Sequence, residues 1–314
     1  MVDVIDIYKT NELHRLYKTD YAEEGSWICI TAPSPSEVEL IIDKYGLDTD
    51  FMRSALDEEE TSRVEREDDQ TLIIVDTPES EKRKDKTVAF YTIPLAIIIK
   101  DKKIFTITTR ENTIINDLLA GRIKGVSTAY RTQFILQLML RASAVYLSYL
   151  RQIDKASDAL ELKLHGATKN HEIFQLLELQ KSLVYLSTSL KSNETTLNKI
   201  LRGRVIKLYE DDQDLLEDVL IENRQALEMS TIYSSILDTM MDAFSSVINN
   251  NLNIVMWRLT IVTVVLAVPN IIYGFYGMNV AGLPLPKAWF PLILSLIAMG
   301  IVWIILVKSK AFRK

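Results

Sequence analysis

Residues 259–279 read LTIVTVVLAVPNIIYGFYGMN, and the first 18 or so of them carry no charged side chain. A helix of about 18 apolar residues crosses roughly 30 Å of hydrocarbon, so this stretch predicts a membrane span. Residues 289–307 are a second uncharged run of about 19, and between 259 and 307 the one charged residue is Lys287. Arg258 precedes the first span, while Lys308, Lys310, Arg313 and Lys314 follow the second. Positive flanks at both outer ends place those ends in the cytoplasm and the loop 280–288 outside. Tyr273, Tyr276 and Trp289 suit the outer interface, where amphipathic rings settle at headgroup depth.

The first span has two unlike faces. Stepping alternately by four and three from Asp242 meets Ser246, Asn249, Asn253, Met256, Thr260, Thr263, Ala267, Asn270, Gly274 and Gly277. Nearly all are polar or small, whereas Ile261, Val262, Val264, Val265, Leu266 and Ile271 lie off that line and suit lipid or neighbouring helices. Small residues alone would read as close helix packing. Packing explains Ala267 and Gly274 but has no need of Thr263, Asn270 or an aspartate below the membrane. The stripe reads instead as pore-lining, and one such face encloses a pore only in a ring of identical helices, hence a cyclic homo-oligomer. Pro269 removes one helix hydrogen bond and leaves the Val265 carbonyl free for bending or ion contact.

Upstream, no glycine occurs between the acidic turn Glu210-Asp211-Asp212 and Gly274, and no proline before Pro269. A single helix of about 65 residues, roughly 100 Å long, is predicted, and its part at 210–258 must be a stalk packed on a hairpin or on copies of itself. That hairpin is expected at 126–209. Phe134, Leu138, Ala142, Val145, Tyr149 and Ile153 recur at helical spacing, Gly166 breaks the run, and Leu176, Leu179, Leu183, Leu186 and Leu190 resume it toward Gly203. Residues 1–125 alternate β-rich runs at 26–30, 71–75, 88–99 and 104–108 with helical pattern, and so form a cytosolic α/β domain. Ser34-Pro35-Ser36-Glu37 starts a helix that puts Val38, Ile41 and Ile42 on one face. The fold class is thus an α+β cytosolic domain, a long helical stalk, two C-terminal transmembrane helices and a basic tail at 308–314.

Composition closes off other classes. With 36 Lys+Arg against 42 Asp+Glu the chain has net charge −6, and hydrophobic residues make up 48%. Disorder and a nucleic-acid partner are excluded, since a phosphate backbone requires a basic face. Cys29 is the single cysteine, so no internal disulfide or Cys-x-x-Cys metal site exists. His14, His165 and His171 form no metal or catalytic spacing, and neither a nucleophile elbow nor a phosphate-binding Gly-x-x-x-x-Gly-Lys loop is present. An enzyme and an organic cofactor are therefore not expected. Residues 1–21 are charged, without the apolar core of a signal peptide, which leaves the N-terminal body in the cytoplasm.

The stripe ends in Tyr276-Gly277-Met278-Asn279. Gly-Met-Asn directly after the first of two C-terminal spans, together with the domain order above, resembles the CorA family of magnesium transporters over essentially the whole chain. The resemblance implies a funnel-shaped homopentamer in the cell (plasma) membrane, with the first spans lining the pore. It implies a selectivity filter at Gly277, Met278 and Asn279, and pore-lining and gate positions at Asn253, Met256, Leu259, Thr263, Ala267 and Asn270, with Met256 and Leu259 as the apolar constriction. The transported ion is expected to be Mg²⁺, with Co²⁺ and Ni²⁺ in addition. Mg²⁺ releases water reluctantly, so neutral oxygens such as the Asn279 carbonyl suit a hydrated ion, although Asn279 also suits a helix C-cap.

Regulation by cytosolic Mg²⁺ is a further implication, through carboxylates that a divalent ion bridges between chains. Asp218 aligns with a regulatory stalk aspartate and Asp242 with an acidic ring beneath the gate. The aspartate's N-domain partner falls on Ser54, so Asp57, Asp50 or Glu58 must stand in. The acidic runs at 57–60, 65–69 and 211–218 otherwise read as solvated faces. The outer loop has Leu283-Pro284-Leu285-Pro286-Lys287 where many relatives carry an acidic segment, which weakens cation attraction at the mouth. Two alternatives stay open: a zinc transporter of the same superfamily, and a membrane-anchored cytosolic scaffold or sensor.

Overall fold

The computed structural model of the chain describes residues 4–83, 87–164, 170–202, 206, 208–278, 284–285, 287 and 289–308. Its first unit, Met1–Met241, is built on a seven-stranded sheet of order β2-β1-β3-β7-β6-β5-β4. The strands are β1 (Ile5–Thr10), β2 (Leu16–Lys18), β3 (Trp27–Thr31), β4 (Arg63–Glu67), β5 (Gln70–Lys82), β6 (Val88–Lys100) and β7 (Lys103–Thr108). All neighbours are antiparallel except β3 and β7, which pair Ile28 with Phe105 and Ile30 with Ile107 in parallel. A sheet of this kind places the unit in the α+β class.

The central strands are apolar on both sides because both faces are covered. Trp27, Cys29, Ile73, Val75, Leu95, Ile97 and Ile104 project into one core with α3 (Thr113–Leu119), α4 (Arg131–Leu164), α5 (Asn170–Leu201) and the start of α6 (Glu210–Tyr276). Ile28, Ile30, Leu72, Ile74, Ala96, Ile98, Phe105 and Ile107 project into the other, under α1 (Pro35–Tyr45) and α2 (Thr49–Ala55). Trp27 is the hub of the first core. It stacks on Tyr8 at 5.1 Å, meets Phe134 at 5.5 Å and donates from Nε1 to Thr106 Oγ1 at 2.8 Å.

Strands β1, β2 and β4 lie outside the predicted β-runs, and β5 continues well past residue 75. β1, β2 and β4 sit at or next to the two edges of the sheet, where solvent permits sequences such as the Arg-Val-Glu-Arg-Glu of β4, so no apolar run marks them. The acidic segment 65–69 proves to be the end of β4 and its tight turn into β5, with Glu67 paired to Gln70. Helix α1 begins where expected: Glu37 accepts from the Ser34 backbone N–H at 2.8 Å and from its hydroxyl at 2.6 Å, and Gly46 at φ 61° ends the helix. Asp48 and Asn112 cap α2 and α3 the other way round, each N-cap side chain accepting from the backbone N–H groups two and three residues on.

Helices α4 and α5 run antiparallel, since Tyr146 and Asn193 both bond the Asp76 carbonyl while Tyr149 and Ser182 both reach the β5–β6 pair further along. The predicted break at Gly166 lies outside the described residues, as do Gly203 and the tail residues Lys310, Arg313 and Lys314. Within this unit α6 packs on α5 through Asn223 to the Leu190 carbonyl, Ser230 to the Leu183 carbonyl and Arg224 to Glu194. The second unit, Asp242–Lys314, holds the rest of α6 and α7 (Trp289–Lys308).

Candidate functional site

Both apolar helical segments of the second unit satisfy the length and hydropathy of a membrane span, and very little of either is buried within one chain. Within the span 257–276, the residues of α6 withdrawn from solvent are Ile261 and Val265, with Trp257, Val268, Pro269, Ile272 and Tyr276 half-buried beside them. At 3.6 residues per turn these define a single side of the helix. Helix α7 covers that side with Ser295, buried to 2%, and the half-buried Ala298, Met299, Val302 and Leu306. Tyr273 and Ser295 share a hydrogen bond at 3.1 Å, and the rings of Tyr276 and Phe290 approach to 6.1 Å. Sequence reading missed Ser295, although a lone serine in an apolar span is the kind of signal that marks a helix contact.

The polar and small stripe falls on the opposite side. Asn253, Met256, Leu259, Thr263, Ala267, Asn270, Gly274 and Gly277 are all exposed in the single chain. The sequence therefore gives α6 two distinct sides in this unit, one that α7 takes and one that it leaves open. Thr260 and Thr263 donate their hydroxyl hydrogens to the Met256 and Leu259 carbonyls at 2.9 and 2.8 Å. Both hydroxyls are thus bonded to their own helix, on the side that α7 leaves open. Leu259 and Met256, 59% and 54% exposed, put apolar side chains about one and two turns before Thr263 along the helix.

At its C-terminal end α6 closes with the Gly277 N–H on the Tyr273 carbonyl at 2.8 Å. A Cβ at Gly277 would come within 3.1 Å of that same carbonyl, whereas one at Gly274 would meet open space. A side chain at 277 would thus crowd the helix end, which would have to give by a few tenths of an ångström, whereas 274 has room for one. Met278 is exposed beside it, and Asn279 lies outside the described residues together with 280–283. Tyr276 donates to the Pro284 carbonyl at 3.1 Å, tying the end of α6 to the connecting loop.

Of the acidic candidates, Asp57, Asp218 and Asp242 are exposed, and among the described residues no group of three or more metal-ligating side chains gathers within the chain. Asp57 accepts the Glu59 N–H at 2.9 Å, and Asp50 pairs with Arg53 at 3.2 Å. Glu58 is engaged by Arg110 and by Thr109, and the Arg110 hydrogen bond holds its carboxyl below the usual range. Ser54 accepts from Arg63 at 3.1 Å. A regulatory cation held by these groups would have to draw ligands from more than one chain.

The sequence matches the family model described as CorA-like Mg²⁺ transporter protein over residues 22–308. It is 30% identical over 268 residues to the cobalt/magnesium transport protein CorA of Methanocaldococcus jannaschii, covering 82% of this chain and 81% of that protein. It is 22% identical to the magnesium transport protein CorA of Helicobacter pylori, covering 88% and 86%. The fold is similar to the complete structure of the CorA magnesium transporter from M. jannaschii, with a TM-score of 0.80, 27% identity and coverage of 98% and 97%.

Proposed function

The chain belongs to the CorA-like Mg²⁺ transporter family, and from that premise we propose that it is a divalent-cation channel carrying Mg²⁺, with Co²⁺ and Ni²⁺ in addition, into the cytoplasm. The observation that carries this reading is the division of α6, with α7 on one side and an exposed polar stripe on the other. Five copies arranged as a homopentamer in the plasma membrane turn that stripe inward and the apolar sides toward lipid, with both chain ends cytoplasmic. Gly277, Met278 and Asn279 form the outer filter, which receives the ion with its water shell. Thr263, Ala267 and Asn270 line the passage below it with neutral oxygens and small groups. Met256, Leu259 and Asn253 follow, the first two as a ring whose dewetting stops flow. A doubly charged ion gains about 4.6 kcal/mol per 100 mV of inside-negative potential, so no nucleotide hydrolysis has to drive uptake.

Closure follows from cytosolic Mg²⁺ bridging Asp218 of one chain to Asp57 of the next, and from an Asp242 ring. Carboxylates that face each other repel until a cation joins them, so depletion of Mg²⁺ loosens the stalks. The deciding experiment is ion flux into proteoliposomes under an imposed inside-negative potential, with Mg²⁺, Co²⁺, Ni²⁺ and Zn²⁺ compared for wild type and Asn279→Ala. Potential-dependent Mg²⁺ uptake that falls at least tenfold in the variant is the expected result. Zn²⁺ uptake without Mg²⁺ moves the protein to a zinc transporter. Absence of any flux in reconstituted wild type makes the hairpin a mere anchor.

A further inference from the structure

At one end of the sheet, where β1 turns into β2, β4 into β5 and β6 into β7, the first unit has a cavity of about 940 Å³. Among the described residues, the start of α4, Ile206, Tyr209 and Asp212 in the first turn of α6 also line it. None of the pathway or regulatory residues named above lines it, so its chemistry calls for a separate account. Arg66 and Arg131 both line the cavity, and neither side chain has an ion pair or hydrogen bond among the described residues. Arg131 acts only through space on Glu24, whose carboxylate is held by Lys102 at 2.8 Å. His14 adds a further nitrogen, whereas Lys100 is engaged by the Gly46 carbonyl.

Three carboxylates share these walls. Asp212 is buried and accepts the Tyr209 N–H at 3.0 Å, while Asp69 and Asp101 stand exposed at the strand turns. Such a mixture is poorly suited to a bare anion and well suited to a molecule that carries both concentrated negative charge and hydrogen-bond donors. Tyr130, 64% exposed at the wall, supplies an aromatic face for stacking. The first turn of the 34-residue α4 contains no acidic side chain, so the positive end of that helix adds to the field of the arginines. The volume falls within the range of small-molecule sites.

We propose that this cavity binds a nucleoside triphosphate. Arg66 and Arg131 take the phosphates, Tyr130 stacks on the base, and Asp69 and Asp101 accept from its hydroxyl and amino groups. The test is equilibrium dialysis of the full-length protein in detergent with radiolabelled adenosine triphosphate, inorganic triphosphate and adenosine. Saturable nucleotide binding that weakens at least tenfold in Arg66→Ala/Arg131→Ala is expected, with a smaller loss in the paired lysine variants. Tyr130→Ala should weaken the nucleotide and leave inorganic triphosphate unchanged. Absence of saturable nucleotide binding, or binding indifferent to both arginines, overturns the site. Inorganic triphosphate bound as tightly as the nucleotide overturns the assignment to a nucleoside. The readout is binding alone, so it stands or falls independently of ion flux.

Discussion

Single side chains decide how the first unit holds together. Phe134 is fully buried against Trp27, so Phe134→Ala should cost roughly 3–5 kcal/mol, visible as a lower unfolding midpoint. Asp76 belongs to a buried polar group in which its backbone N–H and carbonyl both meet the Asn193 amide, at 2.9 and 2.8 Å. Burial raises the carboxyl pKa of Asp76, and hydrogen bonds from Ser189 and Ser62 offset only part of that shift. A carboxyl whose folded pKa lies above its unfolded value contributes its full stability below the ordinary carboxylate range and loses it as pH rises through the folded value. Asp76→Asn should therefore flatten the fall in thermal stability between acid and neutral pH. An unchanged pH profile in that variant would refute the burial cause. The hydrophobic member of this region was legible in sequence, since Phe134 heads a helical repeat. The polar member was not, because nothing in the chain order brings Asp76 and Asn193 together.

Among the elements, α6 has two unlike sides in the second unit, one against α7 and one left open. Cys29 is the sole cysteine and is buried, and burial raises its thiol pKa, so the native thiol reacts slowly. Thr263→Cys and Asn270→Cys should consequently be modified by a small water-soluble thiol reagent in liposomes. Val264→Cys and Ile271→Cys, on apolar surface, should resist it. Equal labelling of all four would remove the aqueous pathway from this side of the helix. Gly277→Ala forces a Cβ against the Tyr273 carbonyl, so the helix end must shift, and Mg²⁺ flux should drop while span insertion stays intact. The stripe was readable from the sequence because a 3.6-residue period writes it directly along the chain. That α7 takes the side opposite to it was not, since uncharged spans such as 289–307 carry too little contrast to show which face packs.

For the whole molecule, the test belongs to assembly and feedback. Raising Mg²⁺ inside proteoliposomes should suppress uptake by wild type, and Asp218→Asn or Asp242→Asn should shift the half-inhibiting concentration upward several-fold. Suppression that neither substitution alters would place the sensor elsewhere, a live outcome given that Glu58 is engaged by Arg110 and Ser54 by Arg63. Two uncharged spans, their basic flanks, the stripe on α6 and Tyr276-Gly277-Met278-Asn279 were determined by sequence alone, because solvent and helical period act on residues in their local order. The edge strands β2 and β4 with β1 beside the first, the parallel pairing of β3 with β7, and the cavity beside Arg66 and Arg131 were decided only by the tertiary structure. Edge strands are held by ladder hydrogen bonds rather than by their own apolar content, and a cavity arises where turns far apart in the chain meet at one end of a sheet.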